Sequence, residues 1–378
     1  MDKRALAIVC GGNQLLFAIQ IKHTLYEQIP MDMVYMGIDI SEEAARVFFD
    51  GVFKCKSNDP PPKDKALRCF LFPQVAIRDY YADIDAEKYT DIFLCGPTWI
   101  YYFLYKYSLY RGKPYKLHII PEGAGVYLGI PQYISPLRGY GRIITAYVIK
   151  KLDRILSARK NTIYAKVTDA YLINPQFAVN YGSLRVINVP IIDVDDKEYI
   201  DNINCVFMYT PFPLYDKVVI LDGSLDRYRE GFYDVQKMDD IIIRLGLEIG
   251  KERVLLKRKH DVGVDQYCKE VQNSITFYED ENLPWELICF NKILDKSVIL
   301  SVNSSVIFLP YIMSNKKQNI YRIGDELIDY RYSDKDSLLQ QEYYIDSVMM
   351  GCTGYKPIQS EEDLGKVISR INNIGSVC

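Results

Sequence analysis

The feature that most constrains this chain is a recurring pair of patterns. A short apolar run stops at glycine, proline or another turn residue, and a stretch with apolar residues at helical spacing follows. Ala5–Cys10 stops at Gly11-Gly12-Asn13, and Gln14–Leu25 follows at helical period. Val34–Ile38 reads as a second strand, and Ser41-Glu42-Glu43-Ala44 opens a helix with Ser41 as its N-cap. Asn58–Pro62 reads as a loop. Asp91–Cys95 stops at Gly96-Pro97, and Leu117–Ile120 stops at Pro121-Glu122-Gly123. Strands that alternate with helices favour an α/β fold on a parallel sheet. No GxGxxG follows the first strand, so the dinucleotide fingerprint is absent.

The pattern repeats in the second half. Cys205–Met208 reads as a strand ending at Tyr209-Thr210-Pro211, and Lys217–Leu221 as another ending at Asp222-Gly223-Ser224. Met238–Leu247 reads as a helix and Arg253–Leu256 as a strand. Ser274–Tyr278 is a short strand, Trp285–Phe290 begins a helix, and Val298–Val302 is a strand before Asn303-Ser304-Ser305. Glu361–Ile371 is a final amphipathic helix. The expected division is two Rossmann-like domains, residues 1–208 and 209–378.

Composition limits the function classes. The chain has 378 residues, long enough for two domains, with 49% hydrophobic and 25% charged residues. A net charge of -3 argues against a general nucleic-acid binder. The nine cysteines form no CxxC pair and no His/Cys ligand spacing, so a reduced, cytoplasmic protein without a metal site is expected. Asp83-Ile84-Asp85 and Asp193-Val194-Asp195 match DxD in letters only and read as solvated loops. The start of the chain does not read as a signal peptide, and no run approaches the length needed to cross a bilayer. Arg138–Lys160 holds seven basic residues against one acid, with apolar residues near helical period. Such a stretch suits peripheral contact with an anionic membrane surface, or a helix with a solvated basic face.

Three places in the second half carry candidate chemistry. Val254–His260 runs from a buried strand into Lys257, Arg258, Lys259 and His260, and ligands of open α/β sheets sit beyond strand carboxyl ends. Leu283-Pro284-Trp285-Glu286 starts a helix with proline well placed, and its carboxylate can accept two ribose hydroxyls. Ser304-Ser305 at a strand-to-helix turn can cradle a phosphate. Gly223 and Ser224 are further candidates for nucleotide contact. His118 reads as a satisfied core histidine and His23 as a surface one.

The order KxH, LPWE, then Ser-Ser resembles that of bacterial sialyltransferases that decorate lipooligosaccharide and capsule. Two successive open α/β halves resemble the GT-B glycosyltransferases. In the first half Glu122-Gly123 matches the family's acidic residue followed by glycine. Cys10-Gly11-Gly12-Asn13-Gln14 matches its first strand leading into a loop with glutamine. Two departures stand out: Asp261 follows His260 where the family has proline, and Pro121 precedes Glu122 where it has a second acid. The resemblance implies two Rossmann-like domains facing each other across a cleft, an acceptor side in the first and a CMP-sugar side in the second. It implies inverting transfer from CMP-sialic acid to a terminal sugar hydroxyl, such as that of galactose, on a bacterial surface glycan, without metal or cofactor. Glu122 would be the base, with Gly123 and Gln14 on the acceptor side. His260 would serve the phosphate with Lys259, Ser304 and Ser305, and Glu286 would hold the ribose. The oligosaccharide acceptor is the second partner, and a homodimer is compatible with this reading. A CDP-glycerol or CDP-ribitol phosphate transferase of the same fold, and a non-catalytic polysaccharide-binding protein, remain the alternatives.

Overall fold

The computed structural model describes residues 3–62, 64–96, 98–128, 167–211, 217–221, 234–258, 263–278, 283–291, 297–301, 307–329, 344–351 and 355–374. The chain divides into two compact units. The first is Met1–Ile192 with Asp196–Tyr209, and the second is Asp193–Asp195 with Thr210–Cys378.

The first unit is built on strands β1 (Ala5–Val9), β2 (Met31–Tyr35), β3 (Gly51–Lys54), β4 (Asp91–Leu94), β5 (Lys116–Ile119), β6 (Val167–Ile173) and β7 (Arg185–Val189). They pair in parallel in the order β3-β2-β1-β4-β5-β6-β7. Every residue of β1, β2 and β4 is buried, as expected where helices cover both faces of a parallel sheet. The helices of this unit include α1 (Gly12–Thr24), α2 (Glu42–Ala45), α3 (Ala66–Leu71), α4 (Pro73–Ala76), α5 (Trp99–Tyr110) and α6 (Lys197–Val206). Growth of the sheet reverses between β1 and β4, and such a reversal is where open α/β sheets bind ligands.

The second unit repeats the device. Strands β8 (Val218–Leu221), β9 (Val254–Lys257), β10 (Thr276–Phe277), β11 (Val298–Ser301), β12 (Asn319–Ile323) and β13 (Lys356–Ile358) pair in parallel as β10-β9-β8-β11-β12-β13. Its reversal lies between β8 and β11. Helices α7 (Val235–Ile249), α8 (Lys269–Ser274), α9 (Trp285–Phe290) and the final helix Glu361–Ile374 belong to this unit. In α7, Asp234 caps the start by accepting from Gln236 N–H at 3.0 Å, and Met238, Ile241, Ile242, Leu245 and Ile249 form its buried stripe.

Gly246 lies on the same helix, where α7 meets α8. A Cβ there would overlap the carbonyl oxygen of Ser274, which is backbone and cannot swing aside. Gly246→Ala is therefore expected to destabilise the second unit by about 2 kcal/mol, despite alanine's better helix propensity. Urea unfolding of the variant checks this, and an unchanged or raised midpoint would refute it.

Two expectations need correction. Cys205–Met208 is not a strand. Cys205 and Val206 end α6, Phe207 and Met208 turn out of it, and Asp196 caps its start by accepting from Tyr199 N–H at 3.1 Å. Tyr199, Ile200, Ile203 and Val206 are buried at helical spacing, and that longer period outweighs the short apolar run at the helix end. The second strand begins at Met31 rather than Val34, because Asp32 interrupts the apolar letters yet sits inside the sheet. Arg4 holds its carboxylate through bonds of 3.0 and 2.5 Å, and the Tyr89 hydroxyl donates at 2.8 Å. A buried charge so paired is tolerated in a strand. Strands β3, β6, β7, β12 and β13 were not anticipated. Arg138–Lys160 lies outside the described residues.

His118 is a core histidine, as the sequence suggested, although only its Nε2 makes a hydrogen bond among the described residues. It is 2% exposed, with Nε2 2.9 Å from Asp91 Oδ1 and Nδ1 3.2 Å from Asp169 Oδ2. Arg185 approaches the other oxygen of Asp169 at 3.0 Å. Thr90 and Tyr26 donate to Asp91 at 2.6 and 3.1 Å. His23 is exposed and stacks on Tyr199 with ring centroids 4.2 Å apart.

Candidate functional site

In the first unit the loops after β1, β4 and β5 meet at the carboxyl edge of the sheet, beside the reversal point. After β1 the chain turns through Gly11, which is extended and gives α1 no side-chain cap. Gln14 closes the turn instead: its Oε1 accepts the Cys10 N–H at 2.5 Å, and the residue is only 3% exposed. Gln14 was expected to face the acceptor; here its side chain fixes the loop after β1.

After β5, the Ile120 N–H donates to Leu94 O at 3.0 Å and carries the β4–β5 ladder one residue further. Pro121 is then buried, Glu122 is exposed and Gly123 half-buried. The following turn, Ala124–Leu128, is pinned from two sides. Tyr127 donates its hydroxyl to Ile173 O at 2.7 Å, and Tyr181 donates to Val126 O at 2.5 Å. Glu122 therefore leads directly into a turn that is held from both sides.

Gly96, in the turn between β4 and α5, opens the space beside this carboxylate. A Cβ on Gly96 would come to 3.8 Å from Glu122 Oε2, and any longer side chain would press on it. Thr98 caps α5 by accepting from Tyr101 N–H at 3.2 Å. Glu122 is open to solvent on one side, yet the protein around it disfavours its charge, and burial raises its pKa above the ordinary glutamate value. Next to it, a hydrogen bond with Cys10, together with burial, holds the Cys95 thiol well above its ordinary pKa. A cavity of about 180 Å³ adjoins it, lined by Cys10, Met36, Ser57, Asn58, Thr98 and Trp99 among others. Chemically, the edge offers one carboxylate of raised basicity, exposed on one side and followed by a braced turn. Sequence reasoning took Gly96 only as a strand stop and Asn58 only as loop. The signal that singles out Gly96 is its place directly after the strand that neighbours β5.

In the second unit the expected residues divide into two groups. Lys259, His260, Gly223, Ser224, Ser304 and Ser305 lie outside the described residues. The strands that lead to them in sequence are β9, β8 and β11, three neighbours flanking the reversal of this sheet. Lys257 ends β9 and Arg258 follows. Each is 9% exposed, with Lys257 Nζ 5.3 Å from the Tyr278 ring centroid and the Arg258 guanidinium 5.8 Å from that of Phe277. These cations are not solvated surface charges, and cation–π contact repays part of their burial. Ser301, at the end of β11, donates its hydroxyl to Leu221 O at 3.2 Å and ties the ends of β8 and β11 together. Glu286 sits in the first turn of α9 and is completely buried, with Trp285 3% exposed beside it.

No protein-family model matches this sequence, and no curated protein sequence matches it. Solved structures do. The α/β-galactoside α2,3-sialyltransferase of the luminous marine bacterium Photobacterium phosphoreum aligns over 94% of this chain and 99% of its own, at 10% identity and a TM-score of 0.50. The 2,6-sialyltransferase of Photobacterium sp. JT-ISH-224, solved with CMP and lactose, aligns over 94% of this chain and 78% of its own. The identity there is 12% and the TM-score 0.53. The fold is GT-B. At such identities the likeness concerns the fold, and it accounts for the two parallel sheets, each with a reversal point in its interior. In this GT-B chain Glu122 occupies the carboxyl edge of the first sheet, and the strands leading to the expected nucleotide residues flank the reversal of the second.

Proposed function

We propose that this protein is an inverting sialyltransferase, moving sialic acid from CMP-sialic acid to a sugar hydroxyl of a bacterial surface glycan. The observation that carries the proposal is Glu122: a carboxylate of raised pKa, leading into a braced turn and beside the open turn at Gly96, on the carboxyl edge of a GT-B sheet. The motif order KxH, LPWE, Ser-Ser in the second unit adds the donor side. The two Photobacterium enzymes with this fold, one solved with CMP and lactose, support the choice of substrate class.

The transfer joins the acceptor oxygen to the anomeric carbon and breaks that carbon's bond to the phosphate oxygen. The acceptor's proton passes to Glu122, and the electron pair of the broken bond leaves with CMP. His260 donates a hydrogen bond or a proton to the departing phosphate, and Ser304 and Ser305 hold it with Lys259. Donors fixed at such a charge lower the barrier by several kcal/mol in comparable sites. Glu286 is the ribose-holding residue of this scheme. Because it is fully buried, donor binding must open α9 toward the nucleotide, or Glu286 must act through the helix it supports. Attack from the face opposite the leaving group inverts the anomeric centre.

The direct test supplies the purified protein with CMP-sialic acid and lactose, with CDP-glycerol as the rival donor. Release of CMP with formation of sialyllactose is the expected result. Turnover of CDP-glycerol instead, or failure of CMP to bind at millimolar concentration, would end the proposal.

A further inference from the structure

Among the described residues the first unit leaves an apolar face uncovered, and the charge around it points to an occupant. Twelve large hydrophobic side chains stand exposed among the described residues, and five of them lie in two short segments. Leu67, Leu71 and Phe72 come from α3 and its end, and Leu109 and Tyr110 from the end of α5; Phe72 and Tyr110 are 51% and 56% exposed. The two helices are packed together. The Phe70 ring lies 5.8 and 5.6 Å from those of Tyr102 and Phe103, and Lys106 Nζ is 4.3 Å from the Phe70 centroid.

The charge within the same segments is basic, although exposed Asp64 precedes Lys65, Glu87 accepts from Tyr107 of α5 and Asp79 lies near Cys69 of α3. Residues 65–72 and 99–116 contain six basic side chains and no acidic one, in a chain whose net charge is -3. Lys65, Arg68 and Lys113 are exposed, and none of them forms an ion pair among the described residues. Bulky aliphatic and aromatic side chains among unpaired cations suit a surface that is anionic outside and apolar beneath. Nucleic acid would satisfy the charges but offers Leu67 and Leu71 little. No helix of the described residues is long and apolar enough to cross a membrane, so contact here is made on the surface.

We propose that the α3–α5 face is a docking surface for an anionic lipid bilayer, with Leu71 and Phe72 seated among the headgroups and Lys65, Arg68 and Lys113 against their phosphates. This is independent of the reaction catalysed. Basic side chains near an anionic leaflet each add several-fold to partitioning, and the effect fades with salt.

Flotation of the full chain with vesicles of phosphatidylcholine, with and without phosphatidylglycerol, tests it. Recovery with the anionic vesicles alone is expected, falling at high salt. Two double variants, L71S/F72S and K65E/R68E, should each lower recovery by about tenfold while unfolding at the parent temperature. Equal recovery on neutral and anionic vesicles would overturn the proposal. So would variants that float like the parent, which would assign binding to another segment such as Arg138–Lys160. Self-association that the L71S/F72S change abolishes would assign the face to a second copy of the chain, and would equally overturn it.

Discussion

Replacing Glu122 with alanine should abolish turnover, by about a thousandfold, while leaving CMP affinity within twofold of the parent. The size follows from what a positioned general base contributes, roughly a hundred- to ten-thousandfold. The selectivity follows from the architecture. Glu122 stands at the edge of the first sheet, whereas every residue proposed to hold the nucleotide belongs to the second unit. Glu122→Gln is the sharper variant, because it keeps the shape over Gly96 and removes only the basicity. Its rate should fall as far as that of the alanine variant. The parent's pH profile gives a second readout. A base must be deprotonated to work, so the rate should fall as pH drops. Because burial raises this carboxyl, the inflection should lie above the ordinary glutamate range. Near-parent turnover in Glu122→Gln, or an acid limb at the ordinary value, would remove Glu122 from the reaction.

The second large effect concerns stability. His118→Leu should cost about 3 to 4 kcal/mol, read as a lower urea midpoint at neutral pH. The imidazole lies between Asp91 and Asp169 at 2.9 and 3.2 Å, and all three side chains are almost fully buried. Leucine fills a similar volume but leaves two carboxylates in the interior with a partner lost. Cavity formation does not account for such a loss, so the cost reports the polar contacts that two buried carboxylates lose. A loss below about 1 kcal/mol would show that water or a rearrangement meets these charges at little cost.

The same cluster sets a pH dependence. Burial alone would raise the Asp91 carboxyl, but hydrogen bonds from His118 and Thr90, with Lys3 nearby, bring it down to about 2. A carboxyl lowered in the folded state adds stability above its unfolded pKa and loses it as pH falls through the folded value. The contribution should be complete above about pH 4 and gone below about pH 2, with a size near 2 kcal/mol. Asp91→Asn should flatten the stability curve across that window.

Much of the architecture was legible in the sequence because buried parallel strands are written as short apolar runs stopped by turn residues. Val254–Lys257, Val298–Ser301 and Val218–Leu221 read almost directly, and so did the caps at Ser41 and the stripe of α7. Where polar letters were buried, the reading failed. Asp32 hid the start of β2, because its partners Arg4 and Tyr89 lie 28 and 57 residues away. The apolar tail of α6 was mistaken for a strand because four residues cannot show a helical period.

The sequence by itself determined that this chain forms two parallel α/β sheets, and it pointed to Glu122-Gly123 at the end of a strand. Local periodicity and turn chemistry suffice for the sheets, since each depends on neighbours in the chain, whereas Glu122-Gly123 stands out only through its resemblance to a sialyltransferase motif. The tertiary structure alone decided that β1 and β4 are neighbours, so that Cys10, Gly96 and Glu122 share one edge. It also decided that His118 lies between two aspartates and that Glu286 is fully buried. Burial, basicity and open space arise from residues far apart in the chain, and no window along the sequence contains them.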